Sequence, residues 1–158
     1  MKKVKIKVKK LYEDVELPQY QHESDAGLDV RAYIDETDLY GSISGSHYIE
    51  IKPFQTKPIK TGLSFEIPDG YELQIRSRSG MSLVGLVVAN SPGTIDSTFR
   101  GHVKVLINNT SNKILSVEHG MRIAQLVLKE QPQIEWEEIA ELMKTERGEN
   151  GFGSTGVK

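Results

Sequence analysis

Arg76-Ser-Arg-Ser-Gly80-Met-Ser-Leu-Val-Gly85-Leu-Val-Val-Ala-Asn90-Ser-Pro-Gly-Thr-Ile95-Asp-Ser-Thr-Phe-Arg100-Gly101 carries both the architecture and the chemistry of this chain. Residues 86–89 are an apolar run too short for a helix, bounded by Gly85 and by a Pro-Gly turn, and so read as a buried strand. Two arginines interleaved with serines precede that strand, and Asp96 follows it in a turn set by Pro92, Gly93 and Gly101. The strand thus separates an anion receiver from a candidate base.

Working outward, strand-like pieces recur about every ten residues, at 48–51, 59–67, 71–77, 86–89, 103–108, 114–117 and 122–128. Turn signals fall between them at Pro53, Pro68-Asp69-Gly70, Pro92-Gly93, Asn108-Asn109 and His119-Gly120. Many short strands at even spacing predict an all-β sandwich or barrel. Residues 2–10 alternate lysine with Val4, Ile6 and Val8, the period of a strand with one face in the core and a solvated lysine face. Residues 24–32 read as a small-residue turn feeding another strand, with Gly27 allowing close backbone approach. Helical periodicity is weak: residues 79–84 predict one turn and 136–144 predict two. Residues 35–47, rich in Asp, Glu, Gly and Ser, predict a surface loop or insertion.

Composition narrows the chemistry. At 158 residues the chain is expected to form one domain that buries roughly 70% of its unfolded surface. A net charge of -2 gives no global attraction to nucleic acid or to an anionic membrane, so anion binding must be local. With no cysteine there is no disulfide framework, zinc cluster or thiol nucleophile. The lysine-rich start lacks the apolar core of a signal peptide or membrane span, and a cytoplasmic protein is expected.

The end of the sequence differs in kind. Residues 147–156, Arg-Gly-Glu-Asn-Gly-Phe-Gly-Ser-Thr-Gly, hold four glycines, one phenylalanine and two hydroxyls, a composition expected to stay mobile until a ligand orders it. The Gly148 to Gly153 spacing imitates a phosphate-binding P-loop, but Ser154 stands where that loop needs lysine. Glycine backbone N–H groups and Arg147 can nevertheless meet phosphate, and Phe152 can stack on a planar ring.

Five segments, in order, resemble the five motifs of the trimeric dUTP pyrophosphatase (dUTPase) family: Ala26-Gly-Leu-Asp29, Arg78-Ser-Gly-Met-Ser82, residues 90–101, Gly120-Met-Arg-Ile-Ala-Gln-Leu126 and residues 147–156. The resemblance implies a jelly-roll or distorted β-barrel subunit over residues 1–146 with one short helix, a 35–47 surface insertion, and a flexible 147–158 arm. It implies a homotrimer with sites at subunit boundaries, and hydrolysis of dUTP to dUMP and pyrophosphate with Mg²⁺.

Each matched residue inherits a role from that resemblance. Asp96 orients and activates water; Arg78, Ser79, Gly80 and Gln125 meet the phosphates. Backbone groups of the hairpin that includes Asn90, Gly93 and Ile95 read uracil, and Phe99 packs under deoxyribose and excludes a 2′-hydroxyl. Arg147, Phe152, Gly153, Ser154 and Thr155 close the site from the arm. Asp29 acts on Mg²⁺ through metal-bound water, the triphosphate supplying most ligands. The four histidines have no ligand-like spacing and read as surface or packing residues.

The chain departs from the family pattern at Phe99, where tyrosine is usual, at Thr98, where an acidic residue is common, and at Leu28, which replaces a tyrosine. Residues 35–47 exceed the typical length and suggest a lid edge or partner site. A dCTP deaminase on the same fold and a dUTP-responsive regulatory protein that binds a protein partner are the alternatives; a jelly roll without chemistry does not explain the polar motifs.

Overall fold

The structure, a computed structural model, describes residues 2–35, 41–43 and 46–149, without the side chains of 41–43 and 46. Twelve strands and one short helix account for the described elements: β1 Lys7–Lys10, β2 Leu28–Arg31, β3 Gly41–Ile43, β4 Ser46–Ile51, β5 Thr56–Lys60, β6 Leu63–Glu66, β7 Tyr71–Arg76, α1 Ser79–Leu83, β8 Leu86–Val88, β9 Gly93–Ile95, β10 Lys104–Asn109, β11 Leu115–Glu118 and β12 Arg122–Glu130. All pair antiparallel, in sheets ordered β1-β6, β5-β10-β8, β11-β4-β3 and β2-β12-β7-β9. This is the all-β jelly roll that the sequence predicts.

Alternation builds the core. In β10, Val105, Ile107 and Asn109 point inward while Lys104 and Leu106 face out, as the two-residue period of a half-buried strand requires. Ile51, Ile59, Leu63, Leu86, Ile123 and Leu126 complete the packed interior from five other strands. Among the described residues no helix is long and apolar enough to cross a membrane.

Several elements differ from their sequence reading. Residues 59–67 are two strands, broken at buried Gly62, whose φ of 72° favours glycine. A Cβ there would also stand 2.3 Å from Val15 Cγ2. The strand expected over 2–10 is confined to β1, exposed at every position, because among the described residues it pairs with β6 alone in a two-stranded sheet; Ile6 alone of the expected inward residues packs on the core. Part of the expected 35–47 loop is a hairpin, with Gly41 opposite Tyr48 and Ile43 opposite Ser46. The third motif contains an unforeseen strand, β9. It does not pair with β8: the chain passes from the β8 sheet to the β9 sheet through Asn90 to Pro92, with a cis Ser91–Pro92 bond.

Residues 136–144 form no helix. Ile134, Trp136, Ile139, Leu142 and Met143 are exposed, Trp136 at 87% and Met143 at 92%. A helix this short needs a packed apolar face, and among the described residues these side chains stay exposed.

Candidate active site

Four of the five motif segments meet in or beside the β2-β12-β7-β9 sheet. Gln125 of β12 lies opposite Asp29 of β2 on one side and Arg76 of β7 on the other, and Ile75 lies opposite Gly93 of β9. A one-residue register shift between Arg122 and Ala124 sets the geometry on β12. Side chains alternate along a strand, so Arg122 and Gln125 would otherwise face opposite ways; the bulge puts both on the face of Asp29.

Asp29 is 8% exposed and charged, which is costly without partners. It has two arginines. Arg78 Nε donates to Oδ1 at 2.8 Å and Nη2 to Oδ2 at 3.4 Å, while Arg122 Nη1 donates to Oδ2 at 3.2 Å. Arg78 Nη1 donates to the Arg122 carbonyl at 3.0 Å. Ser79 and Gly80 follow in α1, both exposed, with open space over the Gly80 Cα. Buried Met81 anchors that turn. Ser77, not singled out by the sequence, ties the second motif to the third: its hydroxyl accepts from Val88 N–H at 2.9 Å and its N–H donates to Ser91 Oγ at 3.3 Å.

The third motif builds a cleft of about 390 Å³ lined by Asn90, Gly93, Thr94, Ile95, Asp96, Phe99, His102 and Lys104, with apolar walls from Ile75, Val103 and Leu106. Asn90 folds over Gly93, where a Cβ would stand 3.0 Å from Asn90 Nδ2. The Phe99 ring, 44% exposed, covers Gly101, where a Cβ would fall 2.6 Å from Cζ. Arg100 Nη1 donates to the carbonyls of Ser97 and Phe99 and holds the turn after Asp96 closed. The exposed Asp96 carboxylate makes no hydrogen bond or ion pair with a described residue.

Two residues from outside the third motif carry polar groups into this cleft, and neither is an expected site residue. His102 accepts the Gly62 N–H on Nε2 at 2.9 Å, and Lys104 projects from β10. Neither sits in a recognisable spacing, and only the closure of β10 against the third motif brings them in.

The predicted site residues therefore fall into two groups. Asn90, Gly93, Ile95, Asp96 and Phe99 line the cleft, whereas Asp29, Arg78, Ser79, Gly80 and Gln125 do not. Asp96 stands three residues beyond Gly93, which is ~10 Å along a strand, toward the far end of the sheet from the arginines. Arg147 is exposed. Phe152, Gly153, Ser154 and Thr155 lie outside the described residues. Among the described residues no cluster of three or more His, Asp or Glu side chains could cage a metal.

The dUTPase family model matches residues 13–156. The chain is 46% identical over 157 residues to a deoxyuridine 5′-triphosphate nucleotidohydrolase of Fusobacterium nucleatum, covering 99% of each chain. It is 43% identical to the same-named protein of Hydrogenobaculum sp., covering 98% of this chain and all of that one. Among solved structures, the dUTPase of Staphylococcus bacteriophage 80alpha with dUpNHpp superposes with a TM-score of 0.77 at 28% identity, over 97% of this chain and 99% of that one. A family match across nearly the whole chain, on a fold that assembles four of the motifs, leaves one conclusion: the chain belongs to the dUTPase family.

Proposed function

We propose that the chain hydrolyses dUTP to dUMP and pyrophosphate, which limits uracil incorporation into DNA and supplies dUMP for thymidylate synthesis. The observation that carries this reading is the cleft built by the third motif, with unpaired Asp96 on its wall. A carboxylate without a partner among the described residues is available to a water molecule. Asp96 takes the proton as the water oxygen bonds to the α-phosphorus, and the bond to the α,β-bridging oxygen breaks to release pyrophosphate.

Backbone groups around Gly93 and Ile95, with Asn90, read the uracil edge; a cytosine leaves them unpaired, at about 1–3 kcal/mol for each buried group. Phe99 packs under the sugar and leaves no room for a 2′-hydroxyl. Arg78, Ser79, the Gly80 N–H and Gln125 receive the phosphates and the charge that builds on the leaving group. Arg147, Phe152, Gly153, Ser154 and Thr155 close the arm over the nucleotide and exclude water.

The donor set fits Mg²⁺ in one way only. Asp29 already accepts three guanidinium contacts, so it would act on the ion only through bound water, with the triphosphate supplying most of the ligands. When bound, Mg²⁺ neutralises triphosphate charge. The separation of Asp96 from the arginine group within one chain supports a homotrimer in which each cleft is completed by the phosphate-binding residues of another copy.

The test is release of pyrophosphate and of ammonia from dUTP, dCTP, UTP and dTTP, with Mg²⁺ and with chelator. Pyrophosphate from dUTP alone, lost with chelator, is expected. Ammonia from dCTP would identify a deaminase on this scaffold, and binding of dUTP without turnover would identify a regulatory protein.

A further inference from the structure

Arg122 has no role in the proposed reaction, although it touches both members of the Asp29–Arg78 pair. We propose that Arg122 is a positioning residue that fixes the phosphate-facing edge of Arg78, through Asp29 and through its own carbonyl oxygen. The inference deepens the proposed function and rests on Arg78 meeting the triphosphate.

A guanidinium has five N–H donors. Three from Arg78 go to protein: Nε to Asp29 Oδ1, one Nη2 hydrogen to Asp29 Oδ2 and one Nη1 hydrogen to the Arg122 carbonyl. The remaining two sit one on each Nη, on a side chain that stays 23% exposed. That pair of donors suits two phosphate oxygens, provided the guanidinium plane cannot turn. Arg122 is what stops it turning. Its carbonyl holds Nη1 from one side. Its Nη1 draws Asp29 Oδ2 at 3.2 Å, so that Arg78 keeps the short contact to Oδ1 and only the long one, at 3.4 Å, to Oδ2.

Without the Arg122 side chain, Oδ2 accepts from no described residue except Arg78. The arginine can then re-seat end-on, with Nη1 and Nη2 on the two carboxylate oxygens and Nε–H released, which takes its free Nη donors away from the phosphates. Arg122 is itself braced, since Nη1 also donates to Gln21 Oε1 at 3.3 Å, in the loop whose Gln19 carbonyl accepts the Asp29 N–H. The β12 bulge aims the side chain at this point. With 41% of its side chain exposed, Arg122 touches the ion pair from its rim.

The experiment compares wild type, Arg122→Gln, Arg122→Lys, Asp29→Asn and the Asp29→Asn/Arg122→Gln double variant, full-length and with Mg²⁺. Binding of dUpNHpp and of dUMP is measured by calorimetry, with melting temperatures as a folding control. Arg122→Gln should weaken dUpNHpp about tenfold and dUMP, which offers one phosphate in place of three, by less than about twofold, because only the phosphate-facing donors move. Arg122→Lys, which keeps one cationic donor, should fall between wild type and Arg122→Gln.

In the Asp29→Asn background, where the side-chain route is already cut, Arg122→Gln should cost no more than about twofold. An equal loss in both backgrounds overturns the proposal and makes Arg122 a direct or purely electrostatic ligand, and an equal loss for dUMP overturns it in favour of a general structural role. The Arg78 Nε–H resonance of the ligand-free protein should lose its slow solvent exchange in Arg122→Gln; retained protection also overturns the proposal. That last readout needs no substrate, so it decides the inference even where wild type releases no pyrophosphate from dUTP and the functional reading itself fails.

Discussion

The Gln125 side chain lies against Gly27: a Cβ on Gly27 would stand 3.1 Å from Gln125 Oε1 and 3.2 Å from its Cβ. A glycine of the first motif is therefore the floor on which the Gln125 amide of the fourth, proposed to meet phosphate, rests. Gly27→Ala needs the amide to give by a few tenths of an ångström, while the fold loses little. The expected outcome is a drop of about tenfold or less in kcat/KM for dUTP with an almost unchanged melting temperature. Steady-state kinetics and calorimetric melting of the same sample check it, and a large fall in melting temperature would place Gly27 in the fold instead.

Asp96→Asn removes the proton acceptor and keeps the shape. Because the carboxylate has no partner among the described residues, stability should not change. Loss of a general base costs about 10²- to 10⁴-fold in turnover. Single-turnover release of pyrophosphate, alongside dUpNHpp affinity, separates the two effects; near-normal turnover would remove Asp96 from the base role.

Gly101→Ala acts on sugar selection. The new methyl would fall 2.6 Å from Phe99 Cζ and 2.9 Å from Cε2, so the ring must tilt into the cleft or out of it. Discrimination between dUTP and UTP should narrow several-fold, by less than the roughly tenfold that one well-placed contact supplies. The measurement is the ratio of kcat/KM for the two nucleotides.

Tyr33→Phe tests an alkaline limit to stability. Burial, reinforced by the bond from its hydroxyl to Asp14, pushes the Tyr33 phenol up from 10.0 to about 12. The folded state then holds the proton more tightly than the unfolded chain, so this contribution is fully present below pH 10 and is lost as pH rises toward about 12. Melting temperature should fall over that window in the wild type. The fall should be shallower in Tyr33→Phe, and identical slopes would show that Tyr33 does not control it. The ring stacks on Tyr12 at 4.1 Å and meets His119 edge-on, contacts that phenylalanine keeps.

What the sequence determined by itself was the alternation and the punctuation. The two-residue period of residues 103–108 and the apolar run at 86–89 are local properties of strands, and they located β10 and β8 to within a residue. The five motifs named the family because their residue types and order are visible without coordinates. Tertiary structure decided which side chains meet. Nothing in Arg122-Ile-Ala-Gln125 signals a bulge, yet that extra residue reverses the facing of Arg122 and brings it onto Asp29.

The lysine-rich start and the stretch around Trp136 have the patterns of a strand and a helix. In each case pattern proposes an element, and only a neighbouring surface can make it pay off in burial. Among the described residues β1 found a single partner strand, and Trp136 stayed exposed. The division of the site into an Asp96 cleft and an Asp29–Arg78–Arg122 centre was likewise invisible in the motifs. Sequence order says which residues belong to one function, but only the path of the sheet says how far apart one chain holds them.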